Sequence, residues 1–459
     1  MLEWSHRILG VLFILVLLFG VLPLGSVDSI NLYASVLLQA ALFAIAVCLP
    51  MREPIQRSVL RPVLTVVLAC AAWLTVQAVS FEGNPLANPI WSAVAEPLDL
   101  VGGSISVAPG ETIRSLPSLL GPFLVFATAA VLASRDDRPE RLWNRLAYLG
   151  FALVAFGLLR YALFPDVRLF SQIHLNAGAV TSVLVNRNNA ATLFGLTSLA
   201  LCGTFFVHLA RLDWFRLRRD VREFHPGILR RYSALLLALA ALFVTLLALF
   251  LTKSRAGFGA TLLALLLAIG TATATLPSRR IAKRPRWIIV TLAALVLGIF
   301  TVFGQQTIHR AQMVGFEDAR SCIYRDVMRA IADYPWVGTG FGTFEAIFPM
   351  YRSAECGIVG VWSRAHNSWL EGALGLGLPF FVLLVGYCLF RLIRIYRVGI
   401  RERRRYRAIP IASLAMLLLV GVHSVFDFSL QIHGVAIYFA GLLGAGTAVS
   451  LARHGNDGV

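Results

Sequence analysis

The chain alternates long apolar runs with short polar segments over most of its length. A helix needs about 20 apolar residues to cross a hydrocarbon core of roughly 30 Å, and Pro, Gly or charged residues bound each run. The pattern predicts about twelve membrane-spanning helices, with ten as the lower limit because the fourth run is short and the last two have polar edges. The predicted spans lie near residues 8–24, 31–49, 59–81, 119–133, 145–163, 189–209, 232–251, 256–276, 287–304, 367–390, 408–424 and 434–451.

Composition supports the same class of protein. Of the 459 residues, 58% are hydrophobic and 14% are charged, with a mean hydropathy of +0.75. A soluble protein of this length has roughly a quarter of its residues charged. No repeat of about 20 to 50 residues is visible, which argues against a solenoid or a propeller. The sequence therefore predicts an all-α polytopic membrane protein.

The charge is strongly basic, at +17 from 41 Lys+Arg and 24 Asp+Glu. Such a charge can indicate nucleic acid or an anionic partner. However, 29 of the basic residues lie in alternate short loops and terminal segments, which hold ten of the acidic residues. Lys and Arg concentrate on the cytoplasmic side of membrane proteins, so both termini are predicted to be cytoplasmic. Nucleic-acid binding is disfavoured. The first run lacks a small-x-small cleavage site and is predicted to be retained as a span.

Long polar segments on the opposite side are the natural place for function. The largest, residues 305–366, precedes the tenth predicted span. Within it, apolar positions of residues 318–333 recur at helical spacing. The glycines of residues 335–342 resemble a phosphate-binding loop, but neither a preceding strand nor a Lys-Ser/Thr pair accompanies them. We therefore expect this turn to pack closely against the membrane helices. The other long outward segments are residues 82–118 and 164–188.

Two of the six cysteines, Cys322 and Cys356, lie in the large outward segment. An envelope compartment is oxidising, so a bridge between them is one possibility and two free thiols are the other. A bridge would restrain about 35 residues and stabilise the protein by about 3–4 kcal/mol. Alkylation of both thiols in the native oxidised protein would exclude it.

Ionisable residues gather where the large outward segment enters the tenth span. Arg364, His366 and Glu371 lie within eight residues. Charged groups at the membrane boundary are costly and tend to mark functional sites. Imidazole is suited to proton transfer near neutral pH. The alternative is that His366 is an interfacial or capping residue.

Two further arginines lie at the outward ends of predicted spans. Arg255 follows Ser254 between two long apolar runs, and Arg187 lies among three asparagines at positions 186–189. A guanidinium binds phosphate or carboxylate through two parallel hydrogen bonds. The alternative for Arg255 is snorkelling to lipid headgroups, and the alternative for the asparagine cluster is a helix N-cap.

A metal site receives little support. His423, Asp427 and His433 surround the last outward turn, but their spacing matches no metal signature. No zincin pattern and no G-x-S-x-G nucleophile motif occurs in the chain. We therefore predict neither a metal nor another cofactor.

Four segments in order resemble the O-antigen ligase and polymerase superfamily of polytopic envelope glycosyltransferases. The resemblance runs over roughly residues 185–385. The segments are Asn186-Arg187-Asn188-Asn189-Ala190; Ser254-Arg255-Ala256-Gly257; Arg320 with Tyr324, Pro335, Gly338 and Gly340; and His366-Asn367-Ser368-Trp369-Leu370-Glu371 followed by Leu376-Gly377-Leu378-Pro379. Phe380 departs from the pattern of the ligase branch, which leaves ligase and repeat-unit polymerase both open.

The resemblance implies a GT-C-like helical architecture and a metal-independent glycosyltransferase in the bacterial inner membrane, acting at its outer face. The donor would be a glycan on undecaprenyl diphosphate and the acceptor a glycan or glycolipid hydroxyl, in lipopolysaccharide or other polysaccharide biosynthesis. His366 would be the catalytic base. The expected diphosphate-binding residues are Arg255, Arg187 and Arg320, and the expected supporting residues are Ser254, Asn367 and Glu371.

This interpretation divides the chain into three regions. Residues 1–184 would hold the first five spans, residues 185–385 the catalytic region with its periplasmic loop 305–366, and residues 386–459 the last spans and a short cytoplasmic tail. A transporter of lipid-linked glycans is the main alternative from another class. Transporters usually show repeat symmetry and broken helices at matching positions, which this sequence lacks. A structural membrane scaffold would not need the outward Arg and His clusters.

Overall fold

The fold is seen in a computed structural model that describes residues 2–48, 53–95, 101–135, 140–164, 178–275, 316–357 and 360–452, together with Pro97 and Asp99. In these ranges the regular elements are helices, and one isolated antiparallel bridge joins Phe81 and Gly103. The helices of eight or more residues are α1 (Leu2–Val21), α2 (Ser29–Cys48), α3 (Arg61–Ala78), α4 (Pro109–Arg135), α5 (Glu140–Leu163), α6 (Arg187–Ala210), α7 (Trp214–Arg222), α8 (Ile228–Leu251), α9 (Arg255–Ala274), α10 (Phe316–Asp333), α11 (Phe344–Tyr351), α12 (Ser368–Leu376), α13 (Leu378–Glu402), α14 (Ala408–His423) and α15 (His433–Leu451). Shorter helical segments are Glu53–Ile55, the π-helix Gln56–Leu60, Ile90–Ala95, Ala354–Cys356 and Ser429–Gln431.

Nine helices in the described part of the chain are long and apolar enough to span a membrane. They are α2, α3 with its π-helical lead-in, α4, α5, α6, α8, α9, α13 and α15. Two shorter apolar helices, Ile8–Val21 and Ala408–His423, coincide with the first and eleventh predicted spans. The prediction of an all-helical polytopic membrane protein is confirmed. The predicted span 287–304 lies outside the described residues.

Helix α6 is the centre of the bundle. All residues of its most apolar stretch are buried, whereas only 6% of the corresponding stretch of α13 is buried. It packs against α5, α8, α9 and α14, while α15 packs mainly against α4. Small side chains such as Ala190, Ala191 and Ala200 allow neighbouring helices to approach α6 closely. The first residues of α6 therefore lie among the ends of its neighbours.

The tenth predicted span, residues 367–390, is wrong as a single helix. It is divided into α12 and α13 at Gly377, whose φ of 81° lies in the left-handed region. Pro379 lies in the first turn of α13 and has no backbone N–H that could donate to a carbonyl oxygen of α12 if that helix continued. The sequence therefore favours a new helix start there. The N–H of Leu378 donates instead to the carbonyl oxygen of Pro335 at 2.8 Å. Consequently α12 is a short helix before the membrane span rather than part of it.

Helices α10, α11 and α12 form a small second core at one side of the bundle. The short loops that hold most of the Lys and Arg residues lie on the opposite, Arg-rich side, and the side of this second core is here called the Arg-poor side. The predicted helical spacing in residues 318–333 is confirmed, because Ile323, Val327 and Ile331 all face this core. A disulfide joins Cys322 of α10 to Cys356, with a Cα–Cα distance of 5.6 Å. Residues 316–357 thus pack together with α12 as a helical unit.

The glycine-rich turn packs closely against other elements, as predicted. Gly338 and Gly340 have φ values of 72° and 99°, which favour glycine. A Cβ on Gly338 would lie 2.5 Å from the backbone nitrogen of Gly377. The amide nitrogen of Gln77, at the end of α3, donates to the carbonyl oxygens of Val337 and Gly375 at 2.8 Å each. The turn therefore fixes the break between α12 and α13 to the end of α3.

Candidate functional site

His366 lies two residues before α12 in a left-handed conformation, with φ of 54°. This backbone conformation is uncommon for a residue other than glycine. The side chain of Asn367 is the N-cap of α12, because its oxygen accepts hydrogen bonds from the N–H groups of Trp369 at 3.0 Å and Leu370 at 3.1 Å. Asn367 thus fixes the direction in which the chain enters the helix and, with it, the position of His366.

Aromatic rings surround the half-buried imidazole of His366. Its centroid lies 4.8 Å from that of Phe428 and 5.9 Å from that of Trp362, both in edge-to-face geometry. The hydroxyl of Tyr324 lies 3.0 Å from the carbonyl oxygen of His366 and 3.2 Å from that of Val425. Tyr324, on α10, therefore holds the backbone of His366 against the turn that follows α14.

Glu371 stabilises the same segment from within α12. Its carboxylate accepts a hydrogen bond from the backbone N–H of Ala365 at 2.8 Å and lies 3.5 Å from the guanidinium of Arg364. Gln431 also donates to it. Burial raises the pKa of Glu371 above its ordinary value, and the charge of Arg364 opposes that shift. Asn367 and Glu371 thus bind the backbone on either side of the histidine.

The predicted arginines lie at the starts of two other helices on the same side. Asn186 is the N-cap of α6, and its side-chain oxygen accepts from the N–H of Asn188 at 2.7 Å. Ser254 is the N-cap of α9, and its hydroxyl accepts from the N–H of Gly257 at 3.3 Å. Arg187 and Arg255 each follow their cap and are exposed. The proposed N-cap role of the asparagine cluster is therefore seen at Asn186.

The starts of α6 and α9 lie side by side. A Cβ on Gly257 would lie 2.6 Å from the Cβ of Ala191 on α6 and 3.1 Å from Cε1 of His423 at the end of α14. This close approach brings the first turns of the two helices together. The partial positive charge at a helix N-terminus favours anions, and here two such ends carry an arginine each.

A chain of buried hydrogen bonds links the turn after α14 to the start of α6. The carboxylate of Asp427 accepts from Asn188 at 3.2 Å and from the hydroxyl of Ser429. The hydroxyl of Thr192 donates to that of Ser429 at 2.8 Å and lies 2.7 Å from Nδ1 of His423. Thr192 and Asp427 are at most 1% exposed. This chain fixes α6 to the turn.

The same turn also binds the start of α12. The hydroxyl of Ser368 donates to the carbonyl oxygen of Asp427 at 3.0 Å, and the N–H of Ser368 donates to that of Ser424 at 2.9 Å. Residues 423–431, here called the hub turn, therefore connect the helix starts that carry Arg187, Arg255 and His366. In the described part of the chain, no group of three His, Cys, Asp or Glu side chains is arranged to hold a metal ion.

Arg320 lies in α10, four residues before Tyr324. Its side chain lies outside the described residues. Tyr324 contacts the backbone of His366, so the helix that carries Arg320 is fixed next to the histidine. The structure thus brings together the elements that carry His366, Arg187, Arg255 and Arg320.

A groove of about 1530 Å³ opens beside this site. It is bordered by residues of α2, α3, α4, α13 and α15, and its lining includes Phe123, Phe126, Leu384 and Leu392. Along α4 it extends from Glu111 to Phe126, about 22 Å of helix length. Polar and charged side chains line its Arg-poor end, where Arg114, Ser363, Arg364 and Glu371 contribute, and Arg391 lines it toward the opposite end. An amphipathic molecule with a long apolar part matches this distribution.

Phe428 lies between the groove and the histidine. It lines the groove, and its ring contacts that of His366. No motif in the sequence marks Phe428, Thr192 or Ser429 as part of a site. Each is an ordinary residue in its local context, and no pattern along the chain indicates its partners. The carboxylate of Asp427, between two histidines in the sequence, binds amide and hydroxyl groups.

A comparison with known families finds a match. A family model described as O-antigen ligase matches residues 240–385, which include α9, α10, α11, α12 and the predicted sites Arg255, Arg320 and His366. Arg187 and the hub turn lie outside the matched residues. No curated protein matches the chain.

Proposed function

Because the chain belongs to the O-antigen ligase superfamily through its domain at residues 240–385, we propose that it transfers a glycan from undecaprenyl diphosphate to an acceptor hydroxyl. The reaction takes place at the outer face of the bacterial inner membrane, with both termini cytoplasmic. The observation that carries the proposal is the hub turn, which holds the start of α12 with His366 next to the starts of α6 and α9 with Arg187 and Arg255.

In the proposed reaction, the acceptor oxygen attacks the anomeric carbon of the donor sugar. The bond from that carbon to the diphosphate oxygen breaks, and undecaprenyl diphosphate leaves. His366 accepts the proton of the acceptor hydroxyl. General-base catalysis of this kind typically raises the rate by about 10²–10⁴. A single displacement inverts the anomeric configuration.

The leaving diphosphate gains negative charge as the bond breaks. Arg187 and Arg255 each follow the N-cap of a helix, so a guanidinium and oriented backbone N–H groups meet at the same place. Preorganised donors of this kind contribute several kcal/mol to the stabilisation of developing charge. Arg320 on α10 is proposed as the third member. The side chains that bind the diphosphate are cationic, and the reaction as proposed requires no metal ion.

The groove supports a lipid-linked substrate. Its apolar walls and its polar end near Arg364 and Glu371 match a lipid whose headgroup is at the Arg-poor side. Two enzyme classes share this chemistry, an O-antigen ligase acting on a glycolipid and a repeat-unit polymerase acting on a growing chain. Deleting the gene separates them, because loss of long chains from the lipid anchor indicates a ligase and accumulation of single repeat units indicates a polymerase.

The central test replaces His366 by Gln in the purified protein, supplied with lipid-linked donor and acceptor in detergent. We expect glycan transfer to fall by about 10²–10⁴ with unchanged thermal unfolding. His225→Gln, on the Arg-rich side, is the matched control and should keep normal turnover. Normal turnover of His366→Gln would exclude the base assignment. A wild-type protein that forms no covalent product but moves the donor across a bilayer would support a transporter instead.

A further inference from the structure

The segment between α6 and α8 exposes large apolar side chains on the Arg-rich side of the bundle. Phe215 is 85% exposed and Phe224 is 91% exposed. Leu229 follows at 71% and Val221 at 53%. Phe224 and Phe215 are the two most exposed large apolar side chains in the described part of the chain. Apolar groups exposed together mark surfaces that meet a membrane or a partner.

Arginines accompany these apolar side chains. Arg211 pairs with Glu140, and Arg231 pairs with Asp220. The exposed arginines of α7 form no salt bridge with a carboxylate in the part of the chain that the structure describes. They are Arg216, Arg218, Arg219 and Arg222. Thus α7 offers cationic groups that are available to an anionic partner.

The position of α7 is fixed close to the membrane. Three residues separate the end of α6 from the start of α7, and three extended residues span at most about 10 Å. The carboxylate of Asp220, 1% exposed, accepts from the hydroxyl of Tyr232 at 3.0 Å and pairs with Arg231 at the start of α8. Therefore α7 is tied to the ends of two candidate spans.

We propose that α7 and its flanking residues form an interfacial anchor that binds anionic phospholipids. Phe215 and Phe224 insert into the headgroup region, and the arginines of α7 bind lipid phosphates. Helices with aromatic and basic side chains lie in the membrane interface in this way, and anionic lipids attract basic segments next to a span. The guanidinium of Arg211 lies 5.1 Å from the ring centroid of Tyr406, so the basic residues 403–405 continue the same surface.

Amide hydrogen exchange of the full-length protein tests the proposal. The protein is placed in nanodiscs of phosphatidylcholine alone or with added phosphatidylglycerol, and exchange is followed for peptides covering residues 212–229. We expect slower exchange with phosphatidylglycerol, and the difference should shrink as salt screens the charges. Equal exchange in the two lipids would overturn the proposal. So would protection that appears in detergent and grows with protein concentration, because a second copy would then cover the surface.

Two double variants separate insertion from charge. Arg216→Gln with Arg219→Gln should weaken the preference for phosphatidylglycerol by about thirtyfold, since each basic residue near an anionic surface contributes about 1 kcal/mol. Phe215→Ser with Phe224→Ser should remove protection in both lipids. Phe243→Ala, at a 52% exposed position of α8, is the matched control and should leave the exchange of residues 212–229 unchanged. Unaltered protection in both double variants would exclude the anchor, whatever the result for glycan transfer.

Discussion

Replacing Cys322 and Cys356 together by Ser removes the covalent link between α10 and the short helix Ala354–Cys356. The two residues are 34 positions apart, and both are more than nine-tenths buried. Cross-linking a loop of this length lowers the entropy of the unfolded chain, which corresponds to about 4 kcal/mol of stability. We expect the double variant to lose stability of this order in the unit formed by α10, α11 and α12.

The consequence should reach the candidate site. Tyr324 lies two residues after Cys322 on α10, and its hydroxyl contacts the carbonyl oxygen of His366. Asp326 accepts from the N–H of Ser353 at 2.8 Å, and Arg325 of α10 pairs with Glu355. The segment should therefore keep noncovalent attachments to α10 when the bridge is absent. We therefore expect reduced rather than abolished glycan transfer.

Amide hydrogen exchange of peptides covering residues 344–366 measures the effect directly. A loss of about 4 kcal/mol corresponds to exchange that is faster by up to about a thousandfold, where opening of this unit controls exchange. Cys48→Ser with Cys388→Ser is the control, because it removes two free thiols and no cross-link. Unchanged exchange in the Cys322 and Cys356 double variant, or alkylation of both thiols in the native oxidised protein, would refute the reasoning.

Three further substitutions test other parts of the structure. Gly340→Ala should lower the thermal unfolding temperature more than Gly357→Ala. Both glycines have positive φ, but only at Gly340 would the added Cβ clash, because it would lie 2.3 Å from the hydroxyl oxygen of Ser106. Equal decreases in unfolding temperature would contradict the close packing. Thr192→Val should lower kcat for glycan transfer by about tenfold, because the buried hydrogen bonds of the Thr192 hydroxyl, worth roughly 1–2 kcal/mol, are lost. Thr192→Ser keeps the hydroxyl and should keep the activity. Equal activity of the two variants would exclude a role for the hydroxyl. Arg255→Lys should lower transfer by about tenfold or more, since Lys keeps the charge but not the paired hydrogen bonds. Unchanged kinetics there would favour lipid snorkelling.

The helices that cross the membrane could be predicted from the sequence because the requirement is local. Each span needs its own run of apolar residues, and every predicted run in the described part of the chain except 367–390 coincides with a helix. The wrong boundary in the tenth run has an equally physical cause. Residues 367–390 are apolar on both sides of Gly377, so hydropathy does not register the break, whereas Gly377 and Pro379 provide the conformational signal for it.

The candidate residues could also be nominated from the sequence, since a charged side chain at the end of an apolar run is conspicuous. His366, Arg187 and Arg255 were found in this way. Their supporting contacts were not, because the partners are far apart along the chain. The side chains of Thr192 and Ser429 are hydrogen-bonded across 237 positions, and those of Asn188 and Asp427 across 239.

The sequence alone thus determined the class of protein, the approximate places of its spans and the polar residues at their ends. Burial of an apolar helix in lipid depends on the composition of that helix, and a single chain segment carries the whole signal. Only the tertiary structure decided which helix ends meet. That arrangement depends on small residues that let α6 and α9 approach and on buried polar groups that require partners, which only the packed fold supplies.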